Sequence, residues 1–180
     1  MIDHTRASAS VARVLYRYDA NSNRIEQKET NGANEETTTY QFDHSDRLTR
    51  IDYPDKRIDY TLDPIGNRGV ETERSLLGAI TKTTSGSFNA RNQLIQLDVR
   101  DSDNALIRST TFSYDANGNQ ISEQTQGQPP ITTAYDVENR VLTLTAQGAP
   151  PTHYRYHPND YGSKKPTPMR PAATASTNAN

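Results

Sequence analysis

The sequence predicts an all-β protein, an open spiral or solenoid of consecutive antiparallel β-hairpins. Three observations indicate this fold class. A short motif, in which an aromatic or aliphatic residue precedes Asp and a turn rich in Asn and Gly, returns every 20 to 26 residues, a period typical of repeat architectures. Strand-forming residues alternate with polar ones ahead of each copy. Between copies, Gly, Pro and Asn mark a second set of turns.

The motif has seven copies, of which residues 112–121 are the most complete. The central pairs are Tyr18-Asp19, Phe42-Asp43, Leu62-Asp63, Phe88-Asn89, Tyr114-Asp115, Tyr135-Asp136 and Tyr156-His157. The next aliphatic residue follows six positions after Asp19, at Ile25, but five positions after Asp43, at Leu48. Because long and short intervals alternate along the chain, we expect two turn lengths and a structural unit of two repeats.

Each motif is predicted to end a β-strand with one apolar face. Side chains two positions apart lie on the same side of a strand, so the aromatic residues of one strand are expected to share a thin core. These aromatic residues are Tyr16, Tyr18, Tyr40, Phe42, Tyr60, Phe88, Phe112, Tyr114, Tyr135, Tyr154 and Tyr156. Turns at the opposite hairpin ends are expected at residues 31–32, 54–55, 101–104 and 127–130.

The motif Asp has two interpretations. Residues 115–119 are similar to the start of a calcium loop, but an EF-hand needs Gly at its sixth position and Glu at its twelfth, where Gln120 and Gln126 stand. We therefore predict an Asx-type turn, in which the Asp oxygen accepts backbone N–H groups and Gly or Asn adopts the left-handed conformation. The turn residues with this predicted structural role are Asp19, Asp43, Asp63, Gly66, Asp115, Gly118 and Asp136. The arginines expected to pack over a turn or pair with its Asp are Arg24, Arg47, Arg68 and Arg140.

The composition excludes several function classes. The 180 residues include 20 basic and 22 acidic side chains, which give a net charge of −2. Nucleic acid is therefore not an expected partner. No apolar stretch is long enough to insert into a membrane. There is no Cys to form a disulfide or a thiolate metal site. The first residues lack the apolar segment of a signal peptide.

Catalytic and metal-binding patterns are not found. The sequence contains no nucleophile elbow, phosphate loop or zincin motif. His4 and His44 stand alone, and His153 and His157 lack the third ligand that a metal site requires. We therefore expect a non-enzymatic protein with no catalytic residue, cofactor or metal.

Three regions are predicted along the chain. Residues 11–162 carry the hairpin repeats, residues 1–10 are expected to be flexible, and residues 163–180 are expected to form a disordered tail. The tail is rich in Pro, Ala, Thr and Asn and has no periodic apolar face.

The motif of residues 112–121 closely resembles the RHS or YD repeat, found in bacterial RHS proteins, toxin-complex C components, wall-associated proteins and teneurins. The resemblance covers residues 11–162. It implies hairpins that, in longer proteins, wind into a hollow shell around a C-terminal toxin domain or form a cell-surface barrel. Residues 63–66 match one Asp-Pro-x-Gly motif of the self-cleaving core of that family, but residues 85–88 read Ser-Gly-Ser-Phe where a second copy would stand. Self-cleavage is therefore not expected.

The resemblance implies a structural role within a longer chain. The expected function is a shell segment that encapsulates or displays a secreted toxin or effector, outside the cell or at its surface. Its partners would be further YD repeats or the toxin cargo of the same parent chain. One alternative is a carbohydrate-binding or adhesion module whose tyrosines stack on sugars, although Trp, the strongest stacking residue, is absent. Another is a decayed fragment without independent function.

Overall fold

The computed structural model describes residues 2–6, 9–146, 148–156 and 167–168, with side chains for residues 13–146 and 148–156. These residues form strands and turns and contain no helix. The strands are β1 (Ile2–Arg6), β2 (Ala9–Tyr18), β3 (Arg24–Asn31), β4 (Asn34–Phe42), β5 (Leu48–Asp52), β6 (Lys56–Leu62), β7 (Arg68–Ser75), β8 (Ile80–Phe88), β9 (Leu94–Asp101), β10 (Leu106–Tyr114), β11 (Gln120–Thr125), β12 (Ile131–Tyr135), β13 (Val141–Thr145), β14 (Thr152–Arg155) and β15 (Thr167–Pro168).

The chain divides into two compact units, residues 1–109 and 110–180, and β10 contributes residues to each. In the first unit, the strands from β1 to β9 pair antiparallel in chain order. In the second unit, the strands from β10 to β15 do the same. The predicted all-β fold of consecutive antiparallel hairpins is confirmed.

The core is as thin as the composition predicts. Ile51, Ile58 and Val99 are buried, with exposed fractions of 7%, 9% and 6%, and no described side chain falls below 2%. Ile51 pairs with Ile58 across β5 and β6 and with Tyr40 across β4 and β5. Apolar pairs of this kind stabilise a sheet by about 0.2–1 kcal/mol each.

The opposite face of the central strands is charged. Asp59 on β6 accepts from Arg50 on β5 at 2.6 Å and from Arg74 on β7 at 3.1 Å. Asp52 and Arg57 form a further pair at 2.6 Å. Because Arg50 and Asp52 flank buried Ile51, β5 shows the apolar and polar alternation of a half-buried strand. Ion pairs as exposed as these contribute little to stability, because solvent screens their attraction.

The two ends of the chain add strands that the sequence did not predict. Residues 1–10 were expected to be flexible, yet β1 pairs with β2 from Ile2 opposite Val14 to Arg6 opposite Ala9. Main-chain ladder bonds do not require apolar side chains, so the largely polar segment of β1 carried no strand pattern. In the expected tail, Thr167 and Pro168 pair with β14, and the rest of residues 163–180 lies outside the described residues. The part of the chain described here offers no helix of the length and apolarity needed to cross a membrane.

Candidate functional site

The six motif copies whose turns lie among the described residues all form one kind of turn. A motif turn is the five residues that begin at the Asp, or at Asn89, and its positions are called first to fifth. In every motif turn the amide of the first residue donates to the carbonyl of the fifth at 2.9–3.0 Å, and the amide of the fourth donates to the carbonyl of the first at 2.9–3.2 Å. The predicted alternation of long and short turns is therefore wrong. The motif turns are residues 19–23, 43–47, 63–67, 89–93, 115–119 and 136–140.

The fourth position has a left-handed backbone in all six motif turns. Its φ ranges from 58° at Asp46 to 98° at Gly66. Gly adopts this conformation without steric cost, and Asn and Asp do so more readily than other residues. Gly66 and Gly118 thus have the role predicted for them, while Asp46, Asn92 and Asn139 fill the same position in alternate turns.

A constant β-bulge follows each motif turn, and the apparent alternation in length reflects which of its two positions holds the aliphatic residue. The sixth residue pairs with the residue before the Asp, as Arg24 does with Tyr18, and the seventh, Ile25, has no partner in that ladder. After Asp43 the same positions hold Leu48 and Thr49. The bulge is constant, and the aliphatic residue moves between the sixth and seventh positions. A bulge of this kind leaves the extra residue out of the ladder and increases the local twist.

The Asp of each motif turn caps the loop. In the best-formed copy, Asp115 Oδ1 accepts the amides of Asn117 and Asn119 at 3.0 and 2.9 Å, and its Oδ2 accepts Nδ2 of Asn119 at 2.9 Å. The predicted Asx-type turn is therefore present. The same set of bonds, from the third and fifth amides and the fifth side chain, is formed by Asp19, Asp43, Asp63 and Asp136.

Hydrogen bonds to these carboxylates favour their charged form. The Arg47 side chain, helped by the amides of Arg47 and Ser45, lowers the pKa of Asp43 to about 2. Asn119 lowers the pKa of Asp115, and the amide of Arg140 lowers that of Asp136. The caps thus persist as carboxylates well into the acidic range.

Neighbouring motif turns are joined in pairs by side-chain hydrogen bonds. The fifth-position Asn of one turn donates to the fourth-position residue of the next turn in the chain. Asn23 Nδ2 lies 2.7 Å from Asp46 Oδ1, and Asn119 Nδ2 lies 2.8 Å from Asn139 Oδ1. The same bond joins Asn67 to Asn92. The two-repeat unit predicted from the sequence is therefore real, but its basis is this bond and not turn length.

A second contact is made by Arg at the fifth position, which occurs in turns 43–47 and 136–140. Besides binding Asp43, Arg47 donates from Nη1 to the main-chain oxygen of Asp63 in the next turn at 3.1 Å. Arg140 binds Asp136 and lies over the ring of Tyr156, with its Cζ 4.6 Å from the ring centroid. Each of these arginines therefore binds the Asp of its own turn and contacts the first residue of the next motif turn, or the tyrosine that precedes it in the sequence.

The two remaining predicted arginines pack on tyrosines and not on Asp. Arg24 lies 4.7 Å from the ring centroid of Tyr40, and Arg68 lies 4.4 Å from that of Tyr60. Guanidinium groups over aromatic faces are attracted by the ring quadrupole. These ring faces are occupied by the protein itself, which reduces the surface available for stacking on a sugar.

Tyrosine hydroxyls satisfy main-chain carbonyls next to the bulges. Tyr135 Oη donates to the carbonyl of Gln120, and Tyr156 Oη to that of Val141, both at 3.0 Å. In both cases the acceptor is the sixth residue of the preceding copy. The sequence offered no signal for these hydrogen-bond partners.

The predicted site residues differ in exposure along the row of motif turns. Tyr16 and Tyr18 are the exposed aromatic residues, at 41% and 56%, and their ring centroids lie 6.5 Å apart. Gly66 and Gly118 are also exposed. The half-buried members are Asp19, Tyr40, Phe42, Asp43, Tyr60, Asp63, Phe88, Phe112, Tyr114, Asp115, Tyr135, Asp136, Tyr154 and Tyr156.

The same capped turn also appears at a hairpin tip, where the sequence predicted only a generic turn. Asp101 Oδ1 accepts the amides of Asp103 and Ala105 at 3.0 and 2.9 Å, and Asn104 has a φ of 63°. The available signal was Asn three positions after Asp, the spacing found at Asp136 and Asn139. No aromatic residue precedes Asp101, so this turn does not match the repeated motif.

No group of three or more His, Asp or Glu side chains in the described residues is placed to hold a metal ion. His153 Nδ1 lies 3.2 Å from Thr143 Oγ1, and His157 lies outside the described residues. A shallow depression at the tip of β3 and β4 is lined by Glu29, Asn31, Asn34 and Glu36.

The comparisons with known proteins found structures but no sequence relatives. No family model matches the chain, and no curated protein matches it. The chain is similar to the crystal structure of TcdB2-TccC3-Cdc42, with 12% identity and a TM-score of 0.43 over 86% of this chain and 13% of that one. The crystal structure of TcdB2-TccC3-TEV is 17% identical, with a TM-score of 0.38 over 76% of this chain and 9% of that one. The structure of the Tc holotoxin pore of Photorhabdus luminescens is 16% identical, with a TM-score of 0.38 over 69% of this chain and 8% of that one.

The chain spans between 8% and 13% of the length of these structures. At these identities the likeness concerns the fold alone. The resemblance to the RHS and YD-repeat family is carried by the motif copies of this chain.

Proposed function

We propose that this chain is a non-enzymatic structural segment of an RHS/YD-repeat shell. The observation that carries the proposal is the use made of the motif side chains. Asp115 caps its own turn, Asn119 joins that turn to the next, and Tyr135 binds a main-chain carbonyl. The motif side chains thus join one hairpin to its neighbour, as expected of a structural wall and not of a ligand site.

The motif resemblance supplies the larger context of the proposal. In that context the wall belongs to a longer chain, acts outside the cell or at its surface, and encloses or displays a toxin or effector. Turns of one backbone form suit this role, because a row of such hairpins can be extended by adding further copies. Cargo and further repeats of the parent chain are the proposed partners.

The test uses the longest natural chain that contains these 180 residues. Electron microscopy of that chain is expected to show a hollow particle. Its downstream segment is expected to resist protease until the particle is opened by denaturant. A natural chain without further repeats, or a downstream segment digested as fast as the free segment, would contradict the proposal.

A glycan array separates the proposal from the carbohydrate-binding alternative. If the chain is a shell segment, we expect no saturable glycan binding that depends on Tyr16 or Tyr18, the exposed aromatic pair. Saturable binding that is lost on replacing both tyrosines by Ser would favour the alternative.

A further inference from the structure

Two Asn-Gly sequences occur in the chain, and the fold holds them differently. Asn31-Gly32 lies at the hairpin tip between β3 and β4, and Asn117-Gly118 lies within a motif turn. The side-chain amide of an Asn that precedes Gly can react with the next main-chain nitrogen, because Gly has no side chain to block the approach. In a folded protein the rate of that reaction depends on how firmly the two groups are held.

At the hairpin tip, neither reacting group is held. Asn31 and Gly32 are exposed. Within the described residues the Asn31 side chain makes no hydrogen bond, and the Gly32 amide has no acceptor. Gly32 has a φ of 63°, and a methyl group on its Cα would meet nothing within 4 Å, so the space around it is open.

The reaction requires the Asn31-Gly32 peptide to rotate out of the extended strand, which opens the pairing of Asn31 with Asn34. This pair is the last of the β3–β4 ladder, next to the turn. The end of an exposed hairpin opens locally without unfolding the rest of the sheet. The tip therefore gives the two groups the freedom to meet.

In the motif turn, both reacting groups are engaged. The amide of Gly118 donates to the carbonyl of Asp115 at 3.2 Å. Nδ2 of Asn117 donates to Oδ1 of Asn139 at 3.1 Å, and the amide of Asn117 donates to Oδ1 of Asp115 at 3.0 Å. The nitrogen that would attack and the amide that would leave are thus both fixed by hydrogen bonds.

We infer that Asn31 is a site of spontaneous deamidation, from which Asn117 is protected. The Gly32 nitrogen attacks Cγ of Asn31 and loses its proton to hydroxide. The new N–C bond closes a succinimide ring, the Cγ–Nδ2 bond breaks, and Nδ2 takes a proton from water and leaves as ammonia. Water then opens the ring, at the side-chain carbonyl to give aspartate or at the main-chain carbonyl to give isoaspartate. This inference is independent of the proposed shell role.

The modification alters a tip that already carries like charges. Glu29 and Glu36 are directly paired across the two strands, and they line one depression together with Asn31 and Asn34. Either product adds a third carboxylate to this depression, and like charges opposite one another destabilise a strand pair. Isoaspartate also lengthens the main chain at the end of β3. We therefore expect the modified tip to be looser than the original one.

The test incubates the full chain in warm neutral buffer made with heavy-oxygen water. Samples taken at intervals are digested, and mass spectrometry with fragmentation locates each deamidated residue, with heavy oxygen marking product formed during incubation. Asn31 is expected to react at least about tenfold faster than Asn117, the effect of the additional hydrogen bonds that must break at Asn117.

Two controls separate the fold from the local sequence. In urea, Asn31 and Asn117 are expected to react at similar rates, because each precedes Gly. In the folded chain, Asn139→Gly removes the acceptor of the Asn117 side chain. That variant is expected to speed the reaction at Asn117 by about fivefold, the effect of one lost hydrogen bond, without changing the reaction at Asn31.

Equal rates at the two sites in the folded chain, or no reaction at Asn31 over a period in which it reacts in urea, would overturn the inference. The expected loosening is measured by hydrogen exchange of the amides of residues 30–36 before and after modification. Asn31→Asp supplies the added charge without the longer main chain and is expected to show a smaller increase than the isoaspartate form. Unchanged exchange in the modified chain would refute the effect on the tip.

Discussion

Asn89 donates from Nδ2 to Oε1 of Gln93 at 2.8 Å, which reverses the direction of the bond in the other motif turns. Elsewhere the first residue is a carboxylate that accepts from Asn or Arg at the fifth position, as Asp63 does from Asn67 at 2.8 Å. Asn89 still accepts the amides of Arg91 and Gln93 through Oδ1. The cap therefore requires a donor and an acceptor at its two ends, in either direction.

Exchange of the Asn89 and Gln93 pair tests this requirement. The double change Asn89→Asp with Gln93→Asn recreates the pair found at Asp63 and Asn67 and is expected to leave the free energy of unfolding unchanged within about 0.5 kcal/mol. Asn89→Ala leaves two turn amides without their acceptor and is expected to cost about 1–2 kcal/mol. Urea unfolding measures both, and equal stability of the two variants would contradict the capping role.

The bond between paired turns is tested at Asn139. Asn139→Gly keeps the left-handed backbone, with φ of 60°, but removes the acceptor of Asn119 Nδ2 and Asn117 Nδ2. The expected cost is about 0.5–1.5 kcal/mol. Asn139→Asp keeps the acceptor, as Asp46 does in its turn, and is expected to be neutral or slightly stabilising. A thermal unfolding series in which Gly and Asp behave alike would show that the bond contributes nothing.

The tyrosine hydroxyls next to the bulges are tested by Phe substitution. Tyr135→Phe and Tyr156→Phe each remove a 3.0 Å bond to a carbonyl and are expected to lower stability by about 0.5–1.5 kcal/mol. Tyr18→Phe is the matched control, since the Tyr18 hydroxyl is without a partner in the described residues, and should change the free energy of unfolding by less than about 0.5 kcal/mol. An equal loss in all three variants would exclude a specific role for these bonds.

The cap at Asp43 predicts a pH dependence. Its pKa is lowered from 3.8 to about 2, first by the Arg47 side chain. A carboxylate whose pKa is depressed by folding stabilises the protein fully above its unfolded pKa and loses that effect as pH falls through the folded value. Wild type is therefore expected to melt higher than Asp43→Asn at pH 6, with a gap that narrows below about pH 4 and closes near pH 2.

Melting temperatures from pH 6 to pH 2 measure this gap, and NMR of the Asp43 carboxyl carbon measures the pKa directly. Asp55→Asn, at the exposed tip between β5 and β6, is the control for a general loss of negative charge. A gap that is the same at pH 6 and pH 2, or titration of Asp43 near 3.8, would contradict the account.

Much of the fold follows from the sequence, because strand periodicity and Asx turns are local. Thr110, Phe112 and Tyr114 point inward and Thr111 and Ser113 outward, as period-two alternation predicts. Asp115 caps its turn because an Asp oxygen reaches amides two and four residues ahead without any tertiary help.

The error in turn length has a clear cause. Two turn lengths follow from the sequence only if the first aliphatic residue occupies the same structural position in every copy. At the sixth position, however, Arg24 takes the place that Leu48 has in the next copy. Its side chain lies over Tyr16 and Tyr40, and its aliphatic stem covers apolar surface. Polarity alone could not place Arg24 and Leu48 in the same position.

The contacts between turns could not be predicted for a different reason. Asn119 and Asn139 are 20 residues apart, and their bond exists only once the bulge and the left-handed fourth position have oriented both side chains. The sequence did show the two-repeat period, but not the bond that produces it.

Amide hydrogen exchange at the fifth position of the six motif turns tests the central claim most directly. These amides, of Asn23, Arg47, Asn67, Gln93, Asn119 and Arg140, each donate to the first-position side chain at 2.8–3.0 Å. A single kind of capped turn predicts that all six are protected to a similar degree, and far more than the exposed second-position amides of Ala20, His44 and Val137. Protection that alternates between the two classes of turn, or is absent, would contradict a uniform wall of capped hairpins.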